Sequence, residues 1–340
     1  SSGRALSDAR RGMGQLSFSL PEGFRIEPFI RSVVIFTIAC EVVGALALWP
    51  MFAAEGTARP LWDAVFHSVS AFCTAGFSTF DTSMEAFRGH FGVNLVISGL
   101  SLAGAVGFIV AVDVGRRLAG RASSMTLTTR IIVSVTAWMI AVGTVVLGLV
   151  DPAIRALPGK EQFLAALFQS MSACTTVGFN TVPIGAIGSA STLVIVVLML
   201  IGASPSGTGG GVKTTSVTAM FGVVRATLRG TERVRFYGRE IPLYRIRQAM
   251  SAVVIYVSVL VLGLFALMLT DADLGFEDLT FEAFSAIGTV GLSRGATGEL
   301  SDLGKLVVMG LMFIGRVGPL TLGLAFLSAP KRPADSDMAI

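Results

Sequence analysis

Six stretches of this chain, at 32–52, 92–112, 131–150, 191–224, 249–270 and 306–327, are long, apolar and almost free of charge. The fourth is broken by glycines after residue 201. A helix needs about 20 apolar residues to cross the hydrocarbon core of a bilayer. An all-α membrane protein with six spans is therefore expected. The make-up agrees, since 53% of the residues are apolar and 14% charged. The runs begin too late, and are too numerous, to be a cleaved signal peptide.

The loops between these runs fall into two classes. The N-terminal stretch, 115–130, 225–247 and the C-terminal tail hold eighteen Lys and Arg, seven of them Arg within 225–247. The opposite loops, at 55–63, 81–90, 151–161, 271–282 and 294–305, hold thirteen acids against six bases. Cytoplasmic loops collect Lys and Arg, so both termini are expected inside, in keeping with an even number of spans. Positive-inside retention also accounts for the basic 225–247 loop, and no nucleic-acid partner is expected. The outward surface is net negative and would concentrate cations at its mouth. Cys40, Cys73 and Cys174 stand apart, with no C-x-x-C pair and no His at metal-ligand spacing. They suit buried thiols, not a disulfide framework or a zinc site.

A tetrapeptide recurs on the outer half, as "TAGF" at 74–77, "TVGF" at 176–179 and "TVGL" at 289–292. The stretches before it match as well, "FHSVSAFC", "FQSMSACT" and "FEAFSAIG", with Phe66, Phe168 and Phe281 each eight residues ahead of the Thr. Each copy follows an apolar segment of about a dozen residues, at 61–73, 162–175 and 277–288, too short to span and suited to a re-entrant helix. The repeating unit is span, short helix, T-x-G loop, span. Non-helical backbone at membrane depth persists only where protein buries it or where it lines an aqueous cavity. Three equivalent loops imply rotational symmetry around such a cavity. Gly76, Gly178 and Gly291 permit torsions that strain other residues. Carbonyls can then turn toward one axis and replace the water shell of a monovalent cation. Neutral Thr side chains fit such a site better than a carboxylate cage for a divalent ion.

With "AGAVGF" (103–108), "GASPSGTGGGVKTTSV" (202–217) and "GRVGPLTL" (315–322) added, the chain resembles the Trk/Ktr/HKT superfamily of potassium transporters. The likeness is closest to the bacterial Ktr/Trk-type membrane subunit and covers nearly the whole chain. It implies repeated span–pore helix–span units around a pseudo-fourfold pore, each giving one strand of a potassium selectivity filter. Carried over, the strands are Cys73, Thr74, Ala75, Gly76 and Phe77; Thr175, Thr176, Val177, Gly178 and Phe179; and Gly288, Thr289, Val290, Gly291 and Leu292. Potassium would be the transported ion, held at these residues, with no organic cofactor. The resemblance further implies a homodimer in the inner (plasma) membrane, surrounded by lipid, above a cytosolic nucleotide-binding ring of regulatory subunits. The family has four repeats and three are visible here. The implied layout is a cytoplasmic linker at 1–31, the second repeat at 32–113 and the third at 131–224. A basic cytoplasmic linker at 225–248, the fourth repeat at 249–327 and a cytoplasmic tail at 328–340 follow. The first repeat is expected to be missing, and three repeats alone do not close a fourfold ring.

Two interruptions carry further expectations. Residues 202–215 break the middle repeat's second span with five glycines, a proline and small polar residues. A phosphate cradle of the G-x-x-x-x-G-K-[ST] kind needs Gly directly before Lys, whereas Val212 precedes Lys213, and membrane spans replace the strand and helix of that motif. A plain kink is the other reading, against which stands Lys213, an intramembrane charge of the costly and usually functional sort. The resemblance implies a gating loop that obstructs the pore, with Gly202, Ser204, Pro205, Gly207, Gly209, Gly210, Gly211 and Lys213 in it. It also places Arg316 in the pore below the filter, as part of the barrier. The competing expectation for Arg316 is an interhelical ion pair with Glu41 or Asp113. His67, at the start of a short helix, is expected to be a hydrogen-bonding packing residue.

The leading function is therefore potassium uptake. A secondary transporter with broken helices is the alternative from another class, although such folds usually show two inverted halves and these repeats run parallel. A non-conducting fragment is a further alternative. An enzyme is not expected, because no nucleophile–base pair or metal-ligand cluster is present and His67 and His90 lie outside any motif.

Overall fold

The computed structural model of the protein describes residues 26–120, 122–231 and 233–318. The expected linker up to residue 25, the tail, and the last span beyond 318 lie outside the described residues.

Among the described residues, three helices are long and apolar enough to cross a membrane: α1 (Ile26–Ala54), α5 (Leu127–Val150) and α10 (Leu243–Thr270). Each opens one repeat. After each comes a short helix, α2 (Pro60–Phe72), α7 (Gly159–Thr175) or α11 (Phe276–Ile287), at the expected places. At about 1.5 Å per residue these reach only part-way through a bilayer. Pro60 starts α2 where its missing N–H costs nothing, with Asp63 in the first turn; Glu277 and Asp278 do the same service for the N-terminal dipole of α11. The T-x-G loop comes next. The chain then re-enters through α3 (Phe91–Val106), α8 (Ser189–Leu200) or α12 (Asp302–Val317).

The run at 92–112 is not one straight span. α3 stops at Val106, and α4 (Phe108–Leu118) leaves it at 100°. Gly107 makes the break with φ 90, a torsion that L side chains resist. A Cβ there would lie 2.8 Å from Gly207 N and 2.9 Å from Pro205 O, while Phe108 N donates to Ser206 O at 3.3 Å. The glycine-rich loop occupies the angle of the bend. α12 ends in the same manner at Gly318, φ 88, and both ends spell G-x-V-G, at 104–107 and 315–318. The first glycine of each lies against the last carbonyl of its own short helix, Phe72 O or Ile287 O, with no room for a Cβ.

The middle repeat breaks as the glycines foretold. α8 ends at Leu200, and α9 (Thr214–Leu228) resumes after thirteen residues without helix. Between them lies the loop 201–213. A four-residue helix α6 (Pro152–Arg155) leads into α7. The basic linker has structure of its own. A hairpin of β1 (Arg235–Phe236) and β2 (Arg239–Glu240) folds back, and Val234, Ala226 and Ile246 form a small apolar cluster with Phe236.

An acid just beyond each long helix ties the start of the returning helix. Asp151 accepts from Ile154 N at 3.0 Å and Gly188 N at 3.1 Å, capping α6 and the entrance to α8. Asp271 accepts from Ser301 N at 2.5 Å, and Ser301 is the N-cap of α12. Glu55 faces His90, the N-cap of α3, at 3.9 Å. Burial works against the Asp271 anion, but the hydrogen bonds from Thr270 and Ser301, helped by the Lys305 charge, outweigh it and hold the carboxyl below its ordinary value. A depressed pKa contributes stability above the unfolded value, lost as the pH falls through the folded one. Asp271→Asn should lower the thermal midpoint at neutral pH. The gap to the unmodified protein should close below about pH 4, as melting in detergent across the acid range will report.

Candidate functional site

The three T-x-G loops have one conformation. Thr74, Thr176 and Thr289 are left-handed, with φ 50, 59 and 51, and so are Gly76, Gly178 and Gly291, with φ 69, 87 and 92. For β-branched Thr this costs about 1–3 kcal/mol and persists only where the surroundings enforce it. The short helices do so through their last carbonyls. Ala75 N donates to Ser70 O, Val177 N to Ser172 O and Val290 N to Ser285 O, at 2.8, 3.1 and 2.9 Å. The serines supply a second tie. Ser70 Oγ donates to Phe77 O at 2.8 Å and Ser172 Oγ to Phe179 O at 2.6 Å, whereas Ser285 Oγ accepts from Gly291 N at 3.2 Å. These serines were missed as functional residues. Their signal was present, because Ser-Ala is the pair common to the three matching octapeptides.

The loops pack around an axis with a consistent hand. A Cβ on Gly76 would collide with Val177 O, and one on Gly178 with Val290 O. On Gly291 it would instead stand 4.0 Å from Ala75 O. The side between the third and first loops is therefore the open one. Residues 175–179 are all buried, with Phe179 at 0% exposure, while Phe77 is 70% exposed and Gly291 is exposed.

The 201–213 loop lies directly against all three. Thr208 Oγ1 donates to Phe72 O at 3.1 Å and meets Thr74 Oγ1 at 3.2 Å. Gly210 N donates to Thr176 Oγ1 at 2.9 Å. A Cβ on Gly209 would come within 2.7 Å of Thr175 O, and one on Gly210 would collide with Thr289 Oγ1 and Gly288 O. Gly202 is equally close to Gly210 O and Gly207 to Ala105 O. Glycine is needed here for close approach. Ser204 anchors one end through its N–H to Ala105 O at 3.1 Å, beside Pro205. Gly211 turns the chain with φ 72.

Two cations hold the loop by its carbonyls. Lys213 Nζ donates to Gly209 O at 2.8 Å, and Arg316 Nη1 donates to Thr208 O at 2.5 Å. The expected ion pairs of Arg316 are not formed. Glu41 accepts from Cys73 Sγ at 3.7 Å, and Asp113 from Thr126 N at 2.8 Å. Their chemistry is met locally, which frees the guanidinium for the loop. His67 is a hydrogen-bonded packing residue as expected, between Asp63 O at 2.7 Å and Ser78 Oγ at 2.9 Å. Among the described residues no group of three or more His, Cys, Asp or Glu could hold a metal ion.

The family profile TrkH, described as a cation transport protein, matches residues 24–335. The chain belongs to the TrkH family. Its members are membrane transporters of cations and not enzymes. The Ktr system potassium uptake protein B of Vibrio alginolyticus is 33% identical over 97% of this chain and 73% of its own length. The protein of the same name from Bacillus subtilis is 30% identical over 95% and 73%. The potassium/sodium uptake protein NtpJ of Enterococcus hirae is 32% identical over 88% and 67%. The crystal structure of the potassium transporter TrkH from Vibrio parahaemolyticus matches with a TM-score of 0.76 at 21% identity, over 93% of this chain and 69% of that one. That match gives the fold: mostly helical, with the repeat organisation of the TrkH family.

The buried Gly210 N–H depends on one hydroxyl. Thr176→Val keeps the shape and removes the acceptor, which should destabilise the protein by about 1–3 kcal/mol. Thermal unfolding of the two forms in the same detergent measures it.

Proposed function

We propose that the protein takes up potassium across the cell membrane, along a path lined by 73–77, 175–179 and 288–292 and obstructed by the 202–213 loop. One observation carries the reading: a glycine-rich loop is seated against three equivalent loops whose Thr and Gly are all left-handed. Paired left-handed torsions let successive carbonyls face one axis, and a ring of such oxygens substitutes for a monovalent cation's water shell. Gly at all three visible positions favours potassium by family analogy. Relatives named for potassium uptake support it, and one named for potassium and sodium marks the competing ion. A fourfold ring would take its remaining strand at the open side, between Gly291 and Ala75.

The same reading orders the rest. The basic linker faces the cytoplasm by the positive-inside rule, which sets the three loops on the outer half and both chain ends inside. The exposed apolar faces of α1 and α10 meet lipid or the second copy of a homodimer. A cytosolic nucleotide-binding ring would act on the loop from below. Lys213 and Arg316 stand as fixed positive charge in the path. The whole is divided into repeats at 32–113, 131–224 and 249–327 with the linker at 225–248 between the last two.

Gly178→Ser tests the filter. A side chain there meets Val290 O, so potassium uptake in vesicles should fall, or its preference over sodium should narrow. Unchanged uptake and unchanged preference would remove the assignment. Arg316→Ala tests the barrier: with the charge gone and Thr208 O released, flux per folded molecule should rise while ion preference stays. A destabilised variant with normal flux would instead make Arg316 a structural clamp.

A further inference from the structure

The residue after the recurring Phe of each short helix (Phe66, Phe168 and Phe281) is polar and buried: His67, Gln169 and Glu282 are 0, 0 and 4% exposed. We propose that at the first and third of the T-x-G loops this position braces the chain just beyond the loop and, through it, sets the preference among cations. The inference rests on reading these loops as the filter.

The contacts repeat in register. His67 Nε2 meets Ser78 Oγ at 2.9 Å, and Glu282 Oε1 accepts from Ser293 Oγ. Both partners lie eleven residues on and directly follow the last loop residue, Phe77 or Leu292. One turn earlier on each helix an Asp takes the next residue. Thr79 Oγ1 donates to Asp63 Oδ1 at 2.8 Å, and Arg294 Nε donates to Asp278 Oδ1 at 2.7 Å. The first and third loops are thus each pinned behind by two side chains of their own helix.

The bonds are directional. His67 Nδ1 faces the Asp63 carbonyl, which only accepts, so Nδ1 carries the proton and Nε2 accepts from Ser78. Ser78 Oγ in turn accepts from Phe80 N at 3.0 Å. Glu282 uses its second oxygen for Thr297 Oγ1 at 2.8 Å. His67 also lies 6.0 Å from the ring of Phe179 in the second loop, so its position bears on a neighbouring strand.

The middle repeat departs from the pattern. Ala165 replaces the Asp, and among the described residues Gln169 and Thr181 Oγ1 have no hydrogen-bond partner. Asn180 turns instead to Glu85 Oε1 at 2.8 Å and Val182 O at 3.0 Å. That strand is held by burial and by Glu85 of the preceding repeat. The side-chain brace thus belongs to the two loops that border the open side.

A brace sets the position of carbonyls, and a shift of a few tenths of an ångström there changes the balance between ions of different radius. The test is the ratio of potassium to sodium uptake by the full-length protein in membrane vesicles, with thermal midpoints measured in parallel. Ser293→Ala and Glu282→Leu should each narrow the ratio about fivefold, the size of one net hydrogen bond. The double variant should fall short of the sum of the two, since both remove the Glu282–Ser293 contact, while Glu282→Leu also removes the one to Thr297. Glu282→Gln, which keeps the shape and one oxygen to accept from Ser293, should hold the ratio within about twofold. Gly178→Ser serves as the reference for the filter itself. If Gly178→Ser alters the ratio while folded Ser293→Ala and Glu282→Leu leave it unchanged, the brace is refuted and the filter stands. If Gly178→Ser leaves it unchanged as well, both fall. Should Glu282→Leu fail to fold, Ser293→Ala decides alone.

Discussion

Every peptide group that leaves a helix at membrane depth must find another partner, and the centre of this protein is organised by that demand. The three T-x-G loops lean on the final turns of α2, α7 and α11, whose carbonyls would otherwise be unpaired. The 201–213 loop cannot be satisfied in that way, because α8 offers only its own end. It draws on all its neighbours instead: Gly104 O and Ala105 O from the bent α3, Thr176 Oγ1 from the middle T-x-G loop, and Leu200 O behind it. The bend at Gly107 belongs to the same solution. A straight α3 would occupy the space through which residues 205–207 pass.

Three similar repeats do not have equal surroundings, and the differences follow from position. The middle loop has a neighbour on each side and is fully buried, whereas the outer two border the open side. The long interruption of a span occurs in the repeat that is covered from both flanks. An unpaired stretch of that length at an uncovered edge would leave more polar backbone facing hydrocarbon than its neighbours could satisfy. Side-chain contacts between repeats knit them further: Arg88 pairs with Glu161 at 3.3 Å, and Arg294 reaches Ile187 O and Thr192 Oγ1 of the preceding repeat.

Much of this was legible in the sequence because it rests on local patterns. Apolar runs locate α1, α5 and α10, runs too short to span locate the re-entrant helices, and five glycines mark the broken span. The bend at 107 was not legible from a single glycine, which apolar helices tolerate. Its signal was the G-x-V-G shared by 104–107 and 315–318, visible only when the two helix ends are aligned. The acids that tie each return helix escaped for a different reason. Their partners lie 30 or more residues away and differ each time, a His, a Gly and a Ser, so that no residue pattern repeats although the contact does. Arg316 meets a backbone oxygen instead of the acid that a buried pair would need, and backbone oxygens leave no trace in a sequence.

That choice of partner has an electrostatic consequence. The ion pairs among the described residues join Arg88, His90, Arg233, Arg235 and Arg294 to acids, and include neither Lys213 nor Arg316. A carboxylate would have neutralised each charge; a carbonyl satisfies its N–H groups and leaves the charge in place. In the proposed path a cation would therefore leave an acid-rich mouth, pass the loop carbonyls, and meet two uncompensated positive groups. Both are bonded to adjacent loop residues, at 208 and 209. The loop is tied to its surroundings by hydrogen bonds along its length and by Ile201 and Val212, which pack into apolar clusters at its two ends. Displacing it would move the Thr208 and Gly209 carbonyls and release both side chains from their present positions. Steric and electrostatic obstruction would then be relieved by one motion, since the same two peptide groups hold both.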